Sequence, residues 1–437
     1  MKAQKFNYSS LKELKADLKE LDFELPLSEN TKILNEELKI NNRLIPNRIA
    51  IHPMEGADAE ADGTPSELTK RRYKRFANGG AGLIWLEAIA VDKAGRANKS
   101  QLYLNQENLA QFKDLIKLIK TESEVDPYTV AQLTHSGRFG ENNIIAFNDQ
   151  ELDPVSIAEN GFHIVTDEEL DQLQFDYLEA AELAAEAGFD AVDIKSCHRY
   201  LLSSLLAAYD REGKYGGTYE NRTRFLKETI IKVKNKVDID LAVRLNIYDA
   251  IPGGWATDQD GNPDLAEVVK LLKELEELGV KLINVTASTP YLMPHVNRPY
   301  DNGGYQPPEH PLLGVKRLLE LTKFTKENLN QTLVVGTGFS WLREYGANAA
   351  AGMVDADWTD LAGFGRQAFA YPGFAEDIFQ KGEMDSTKVC ISCSKCAELK
   401  AAKKKAGCVI RDREIYLPIY RELQQEKELN NLSAASS

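Results

Sequence analysis

The sequence predicts an α/β fold: a (β/α)₈ barrel with an N-terminal helix and hairpin in front and a cysteine-rich tail behind. Eight short apolar runs, at 48–52, 82–87, 128–132, 191–194, 240–245, 282–285, 332–335 and 361–364, alternate with amphipathic helical patterns. Eight strand–helix repeats in about 330 residues fit a closed barrel. Most runs are nearly continuous in apolar residues, the pattern of strands buried on both faces of a parallel sheet. Periodicity alone leaves a doubly wound open sheet as the alternative.

The helices carry their own punctuation. Thr64-Pro65-Ser66-Glu67 reads as a capping box with proline at the first helical position. Thr166-Asp167-Glu168-Glu169 is a second box. It opens a helix with the apolar face Leu170, Leu173, Tyr177, Ala181 and Ala184, and Gly188 stands where a C-terminal cap belongs. Ahead of the barrel, residues 1–47 hold Leu11, Leu14, Leu18 and Leu21 at helical spacing. A hairpin at 33–44 follows, placed to plug the barrel bottom. The barrel is expected over 48–384 and the tail over 385–437.

Composition narrows the class. The 437 residues are 43% apolar and 27% charged, as in an ordinary globular protein. A net charge of −14 lacks the cationic field that nucleic acid or an anionic membrane would require. No stretch reaches the roughly 18 consecutive apolar residues of a membrane span. Met1-Lys2-Ala3-Gln4-Lys5 leads into the amphipathic helix and not a signal peptide, so a cytoplasmic protein is expected. Four lysines lie within 400–405, and they read as a solvated helix face.

Of five cysteines, Cys197 stands alone and reads as a packed thiol. Cys390, Cys393, Cys396 and Cys408 form a C-x2-C-x2-C-x11-C pattern within 19 positions. All-thiolate ligation at that density suits a 4Fe–4S cluster. A structural zinc is the rival, although its four-cysteine sites usually come as two separated C-x2-C pairs.

Several segments converge on one family. His52-Pro53-Met54-Glu55-Gly56 ends the first strand, and GLIWLEAIAV follows at 82–91. Gln132-Leu133-Thr134-His135-Ser136-Gly137-Arg138 ends the third, and RYLLSSLLAAYDREGKYGGTYENRTRF spans 199–225. Val243-Arg244 ends the fifth, and Gly338 and Gly365-Arg366 sit in the last two strand–helix turns. Together these resemble the old yellow enzyme and 2,4-dienoyl-CoA reductase family of NADH:flavin oxidoreductases, over roughly residues 30–420. The cysteine spacing resembles its iron–sulfur branch, which includes trimethylamine dehydrogenase.

The resemblance implies FMN as cofactor. It places Gly338, Gly365 and Arg366 at the FMN phosphate, Arg244 on the N1–O2 side of the flavin and Gln132 at its pyrimidine edge. Pro53, Met54 and Ala88 would pack against the ring. Glu55 stands where the family usually has Thr or Cys near the flavin O4, and Lys195 is its expected partner.

After the fourth strand the family holds two hydrogen-bond donors for a substrate carbonyl and a proton-donating Tyr. Lys195 and His198 occupy the donor positions here, Tyr200 matches the proton donor, and Arg199 replaces the usual Gly. This constellation suits reduction of an activated C=C bond, with charge developing on the carbonyl oxygen near the donors. Amine dehydrogenation of the trimethylamine dehydrogenase type is the alternative. The long segment 288–308, with Tyr291, His295, Arg298 and Tyr305, is expected to wall the substrate pocket.

Larger iron–sulfur relatives continue into an FAD- and NAD-binding module. No G-x-G-x-x-G follows Cys408. The expectation is therefore that electrons arrive through the cluster from a partner, a ferredoxin or an FAD-containing reductase. Direct reduction of FMN by NAD(P)H is the other route.

Overall fold

The computed structural model describes residues 5–155 and 161–436. Residues 1–4, within the stretch that leads into the expected amphipathic helix, 156–160 and Ser437 lie outside them. Eight parallel strands close into a barrel: β1 Ile49–Ile51, β2 Leu83–Ala90, β3 Tyr128–Thr134, β4 Ala191–Ile194, β5 Asp240–Asn246, β6 Leu282–Thr286, β7 Leu333–Gly336 and β8 Leu361–Phe364. Closure is complete, with Phe364 of β8 paired to Ile51 of β1. An open doubly wound sheet is thereby excluded, and the (β/α)₈ expectation holds.

Each strand feeds a helix that packs on the outside of the sheet. Every residue of Leu83–Ala90 is buried. Strands wedged between a filled interior and a helical coat leave no face for alternating polar residues. The barrel interior is packed at its N-terminal end by Ala50, Leu83, Trp85, Tyr128, Val130, Ala191, Ala242, Leu282, Val335 and Leu361. A hairpin, Leu38–Ile40 paired with Arg43–Ile45, closes that end by adding Ile40 and Ile45 to the same cluster. Burying each of these two side chains stabilises the fold by about 1.5–3 kcal/mol.

The helix before the hairpin, Leu11–Glu20, buries Leu14 and Leu18 as its spacing requires. The box at Thr166 is formed in both directions, and Gly188 ends that helix at φ 92°. The reading of Thr64 needs correction. The helix Glu67–Ala77 is capped by Ser66, whose hydroxyl accepts from Thr69 N, so Pro65 lies outside the helix. Two hydroxyl residues stand near the cap, and Ser66 takes it because, with extended backbone, it directly precedes the first helical residue.

The tail folds back over the C-terminal end of the barrel. Its helices are Lys395–Ala401 and Arg413–Ser436. Asp412 accepts from Arg71 at 2.8 and 2.9 Å and also pairs with Arg75, and Ala406 N donates to Gly56 O at 2.7 Å. Among the described residues no helix is long and apolar enough to cross a membrane.

Candidate active site

The strands deliver their C-terminal residues to a cavity of about 420 Å³, a size that holds a cofactor and a small substrate. Pro53, Met54 and Glu55 after β1, Gln132 on β3, Lys195 and His198 after β4, and Arg244 on β5 line it. Tyr291 and Arg298 after β6, Gly338 after β7, and Gly365 and Arg366 after β8 complete the expected set. Tyr200 stands at the edge and reaches this set through its hydroxyl, which donates to Glu55 Oε1 at 3.2 Å and lies 2.8 Å from the Tyr291 hydroxyl.

Three expected residues fall elsewhere. Ala88 is buried behind the wall, its carbonyl accepting from Gln101 Nε2 at 3.1 Å. His295 and Tyr305 hydrogen-bond one another, and Tyr305 is 39% exposed. Within the 288–308 segment, His295 and Tyr305 thus pack on each other, while Tyr291, Asn297 and Arg298 form the wall. Tyr291 is stacked on Phe139 with ring centroids 3.8 Å apart.

The turn after β4 is strained. His198 and Arg199 adopt φ of 64° and 58°, a left-handed conformation that costs a non-glycine residue about 1–3 kcal/mol. Arg199 offsets that cost with its side chain: the buried guanidinium donates to Asp249 at 2.7 Å and pairs with Asp149. The result aims His198 into the cavity. Burial, with Arg244 and Lys195 nearby, holds its imidazole well below the usual range, so it is neutral. Its Nε2 faces the Asn297 amide at 3.1 Å. With Nε2 accepting, Nδ1 carries the N–H.

Lys195 is 2% exposed, and its ammonium lies 3.6 Å from the centre of the Tyr200 ring. Burial pushes it down to about 8. The expected Lys195–Glu55 ion pair is not formed. Glu55 is paired instead with Lys400 of the tail, at 2.9 Å. The lysine run is therefore not wholly a solvated face: Lys400 lines the cavity, as does Lys403. The helix Lys395–Ala401 lies along the cavity, where a lysine from outside the barrel reaches Glu55.

Three guanidiniums, those of the buried Arg244 and Arg366 and the half-buried Arg298, have no carboxylate partner among the described residues. Arg244 Nε, Arg298 Nη1 and Arg366 Nη1 have no hydrogen-bond partner at all. Gly338 has φ 105°, and a Cβ there would lie 3.1 Å from Leu318; one on Gly365 would lie 3.0 Å from Met54 Sδ. Unpaired buried cations beside backbone stripped of side chains describe a cradle for an anion.

Asp193 and Asn297 escaped the sequence reading. Asp193, fully buried on β4, accepts from Gln132 Nε2 at 2.7 Å, Trp85 Nε1 at 3.0 Å and Arg244 N at 2.7 Å. Burial pushes it up to about 6 against those bonds. It takes the Gln132 amide hydrogens and leaves the Gln132 carbonyl as the free end of the amide. The signal was present, since an aspartate interrupts the apolar run AVDI.

Cys390, Cys393, Cys396 and Cys408 line one hollow of about 20 Å³. Ser392 and Ser394 take φ of 51° and 58° to fold the first three cysteines around it. Ser392 N donates to Cys390 Sγ at 3.4 Å and Arg411 N to Cys408 Sγ at 3.3 Å. Cys396, Arg366 and Phe369 line both this hollow and the main cavity, so the two adjoin. Among the described residues no three His, Cys, Asp or Glu side chains converge on a point suited to a single metal ion. Cys197 is fully buried, and burial pushes its thiol up to about 11, so it stays an unionised packed thiol.

Residues 34–384 match the model of the NADH:flavin oxidoreductase / NADH oxidase family. NADPH dehydrogenases of Bacillus cytotoxicus and Bacillus subtilis are each 31% identical to the chain, over 57% of its length and 69% and 72% of theirs. In fold, it is similar to a 2-naphthoyl-CoA reductase bound to 2-naphthoyl-CoA, with a TM-score of 0.72 at 19% identity. That match covers 88% of this chain but 57% of the reductase, so the chain spans little more than half of that protein. The old yellow enzyme homologue of Zymomonas mobilis gives a TM-score of 0.62 at 20% identity, over 80% of this chain and 94% of that one. Spanning the whole barrel, the family match shows that the chain belongs to the NADH:flavin oxidoreductases, the flavin-dependent family of old yellow enzyme.

Proposed function

We propose that the protein is an FMN-dependent ene-reductase with a 4Fe–4S cluster, acting on the C=C bond of an α,β-unsaturated carbonyl compound such as an enone or enoyl thioester. The charge of the cavity carries this reading. Among the described residues its one lining carboxylate, Glu55, is neutralised by Lys400, whereas Lys195, Arg244, Arg298 and Arg366 form no ion pair. Such a site favours a phosphate, a reduced flavin and an enolate oxygen. It disfavours the cationic amine that a dehydrogenase of the trimethylamine dehydrogenase type would bind, because Lys195 and Lys400 flank the only carboxylate.

The donor set fits FMN. Arg366 and Arg298, with free Nη1 atoms beside Gly338 and Gly365, would hold the phosphate, and Arg244 and Gln132 would meet the ring edge. Bound FMN supplies the hydride that the substrate β-carbon takes. Lys195 and His198 donate to the carbonyl oxygen as negative charge grows there. Tyr200 gives its proton to the α-carbon, and the stacked Tyr291 and Phe139 keep water from that side.

The C-x2-C-x2-C-x11-C spacing suits a cluster better than a single zinc ion, and the four cysteines line one hollow. A bound cluster supplies single electrons, and the shared wall of Cys396, Arg366 and Phe369 favours their entry here from a ferredoxin or FAD-containing reductase. NAD(P)H entering the main cavity is the competing source.

The test is Tyr200→Phe in protein reduced anaerobically by dithionite. Turnover of 2-cyclohexenone should fall by about 10²–10⁴-fold, with FMN content unchanged. A variant as fast as wild type, or a wild type that oxidises trimethylamine and leaves enones untouched, overturns the reading.

A further inference from the structure

Lys400 belongs to neither group of residues that the chemistry above uses, yet it connects them. The helix Lys395–Ala401 carries Cys396 and, one turn later, Lys400. Lys400 Nζ lies 2.9 Å from Glu55 Oε2. Glu55 Oε1 accepts from the Tyr200 hydroxyl at 3.2 Å, and that hydroxyl lies 2.8 Å from the Tyr291 hydroxyl. The Lys400 ammonium also sits beside Tyr291, with Nζ 5.5 Å from its ring centre. The four side chains thus form one group of polar neighbours. Tyr200 is 2% exposed and the Glu55 side chain 12%, whereas the Lys400 side chain is 30% exposed. Of Tyr200, Glu55 and Lys400, the lysine has the most open route to water.

We propose that Lys400 is a positioning residue that recharges Tyr200 with protons: the ammonium passes a proton through the Tyr291 hydroxyl to the Tyr200 oxygen, while Glu55 holds the lysine in place. This rests on the ene-reductase reading. When the Tyr200 O–H bond breaks and its proton goes to the substrate α-carbon, a buried phenolate remains. The Tyr291 O–H proton moves to that oxygen, and one N–H proton of Lys400 moves to Tyr291. The neutral Lys400 amine then takes a proton from water. No electrons move, and the charge lost at Lys400 cancels the charge formed at Tyr200. Glu55 is the holder and not the courier, because a carboxylate carries no proton to pass on.

The electrostatics agree. Burial alone would push the Glu55 carboxyl up; Lys400, then Lys195, and hydrogen bonds from Lys400 and Tyr200 outweigh it and keep the group below the ordinary range. Burial would likewise pull Lys400 down, and Glu55 and Tyr291 raise it instead. The other groups facing these four are Arg244, Glu87 and the neutral His198. None of these offers Lys400 a second carboxylate except Glu87, which Arg72 already pairs.

The experiment compares wild type, Lys400→Met and Lys400→Arg as holoproteins with equal FMN and iron content, using dithionite and 2-cyclohexenone. Lys400→Met should lower kcat by about 10²-fold and develop a solvent deuterium effect on kcat. Lys400→Arg keeps the ion pair but releases protons poorly, so it should restore KM and not kcat. A Met variant with unchanged kcat, or an Arg variant with full kcat, overturns the relay. A second measurement needs no turnover: the absorbance of the bound flavin is followed between about pH 5 and 10. Lys400→Met should show a new midpoint above the ordinary carboxylate range, because Glu55 has lost its chief neutralising partner. Identical titrations in wild type and variant overturn the positioning role. Wild-type inertness toward enones would sink the ene-reductase reading and leave this titration to judge Lys400 by itself.

Discussion

The two ends of the barrel are built on opposite rules. At the N-terminal end, Ile40 and Ile45 of the hairpin close a cluster whose members are all apolar, among them Trp85, Tyr128 and Val130. At the C-terminal end, the buried Lys195, Arg244 and Arg366 and the half-buried Arg298 form no ion pair with a carboxylate among the described residues, and His198, Arg199 and Ser288 take left-handed backbone conformations. One end is complete as folded. The other carries cations without carboxylate partners and a strained turn that Arg199 offsets through Asp149 and Asp249. The lesson is that stability and function are separable along the barrel axis, with the bottom supporting the cost of the top.

Three changes probe that separation. Ile45→Ala at the bottom should cost about 2–5 kcal/mol of unfolding free energy, read by urea denaturation, and leave FMN affinity where it was. A large loss of FMN affinity in that variant would mean the ends are coupled. Arg366→Ala at the top should do the reverse, weakening FMN by about 10–100-fold, because a charge-assisted hydrogen bond is worth about 1.5–3 kcal/mol. Flavin titration of the apoprotein measures it, and unfolding of the apoprotein should be unaffected or improved, since an unpaired buried cation is removed.

The smallest effect concerns pH. Burial pushes Lys195 down to about 8, against the pull of Cys197 and Glu55. The group is an ammonium below that value and a neutral amine above it. If it stabilises a developing oxyanion as a cation, kcat/KM should fall as pH rises through about 8, and Lys195→Arg should move that falling limb upward. A flat profile in wild type would assign Lys195 a structural role over Tyr200.

The eight strands were legible because burial on both faces writes itself into consecutive residues. The helix at Thr166 was legible for a similar reason, since a capping box involves neighbours only. The start at Ser66 was misplaced by two residues because Thr64 offers the same chemistry and only the backbone path chooses between them. Most site residues expected at the cavity line it, since strand ends converge once a barrel closes. Lys400 was misread: four lysines in a short run look solvated in every local window, and its partner lies on the opposite end of the chain. His295 and Tyr305 line no part of the cavity, because the length of a loop does not say which of its side chains turn inward.

The sequence by itself determined the eight strand–helix repeats, a hairpin ahead of them and the clustering of four cysteines, through local patterns of burial, turn chemistry and spacing. The family came from the resemblance of its motifs, and closure of the barrel from the pairing of its first and last strands. Only the tertiary structure decided that Glu55 pairs with Lys400 and not Lys195, that Asp193 orients Gln132, that Arg199 is clamped by Asp149 and Asp249, and that the cysteine hollow shares a wall with the main cavity. Electrostatic pairing depends on distances between atoms remote in the chain, and those distances exist only after the barrel has closed and the tail has folded over it.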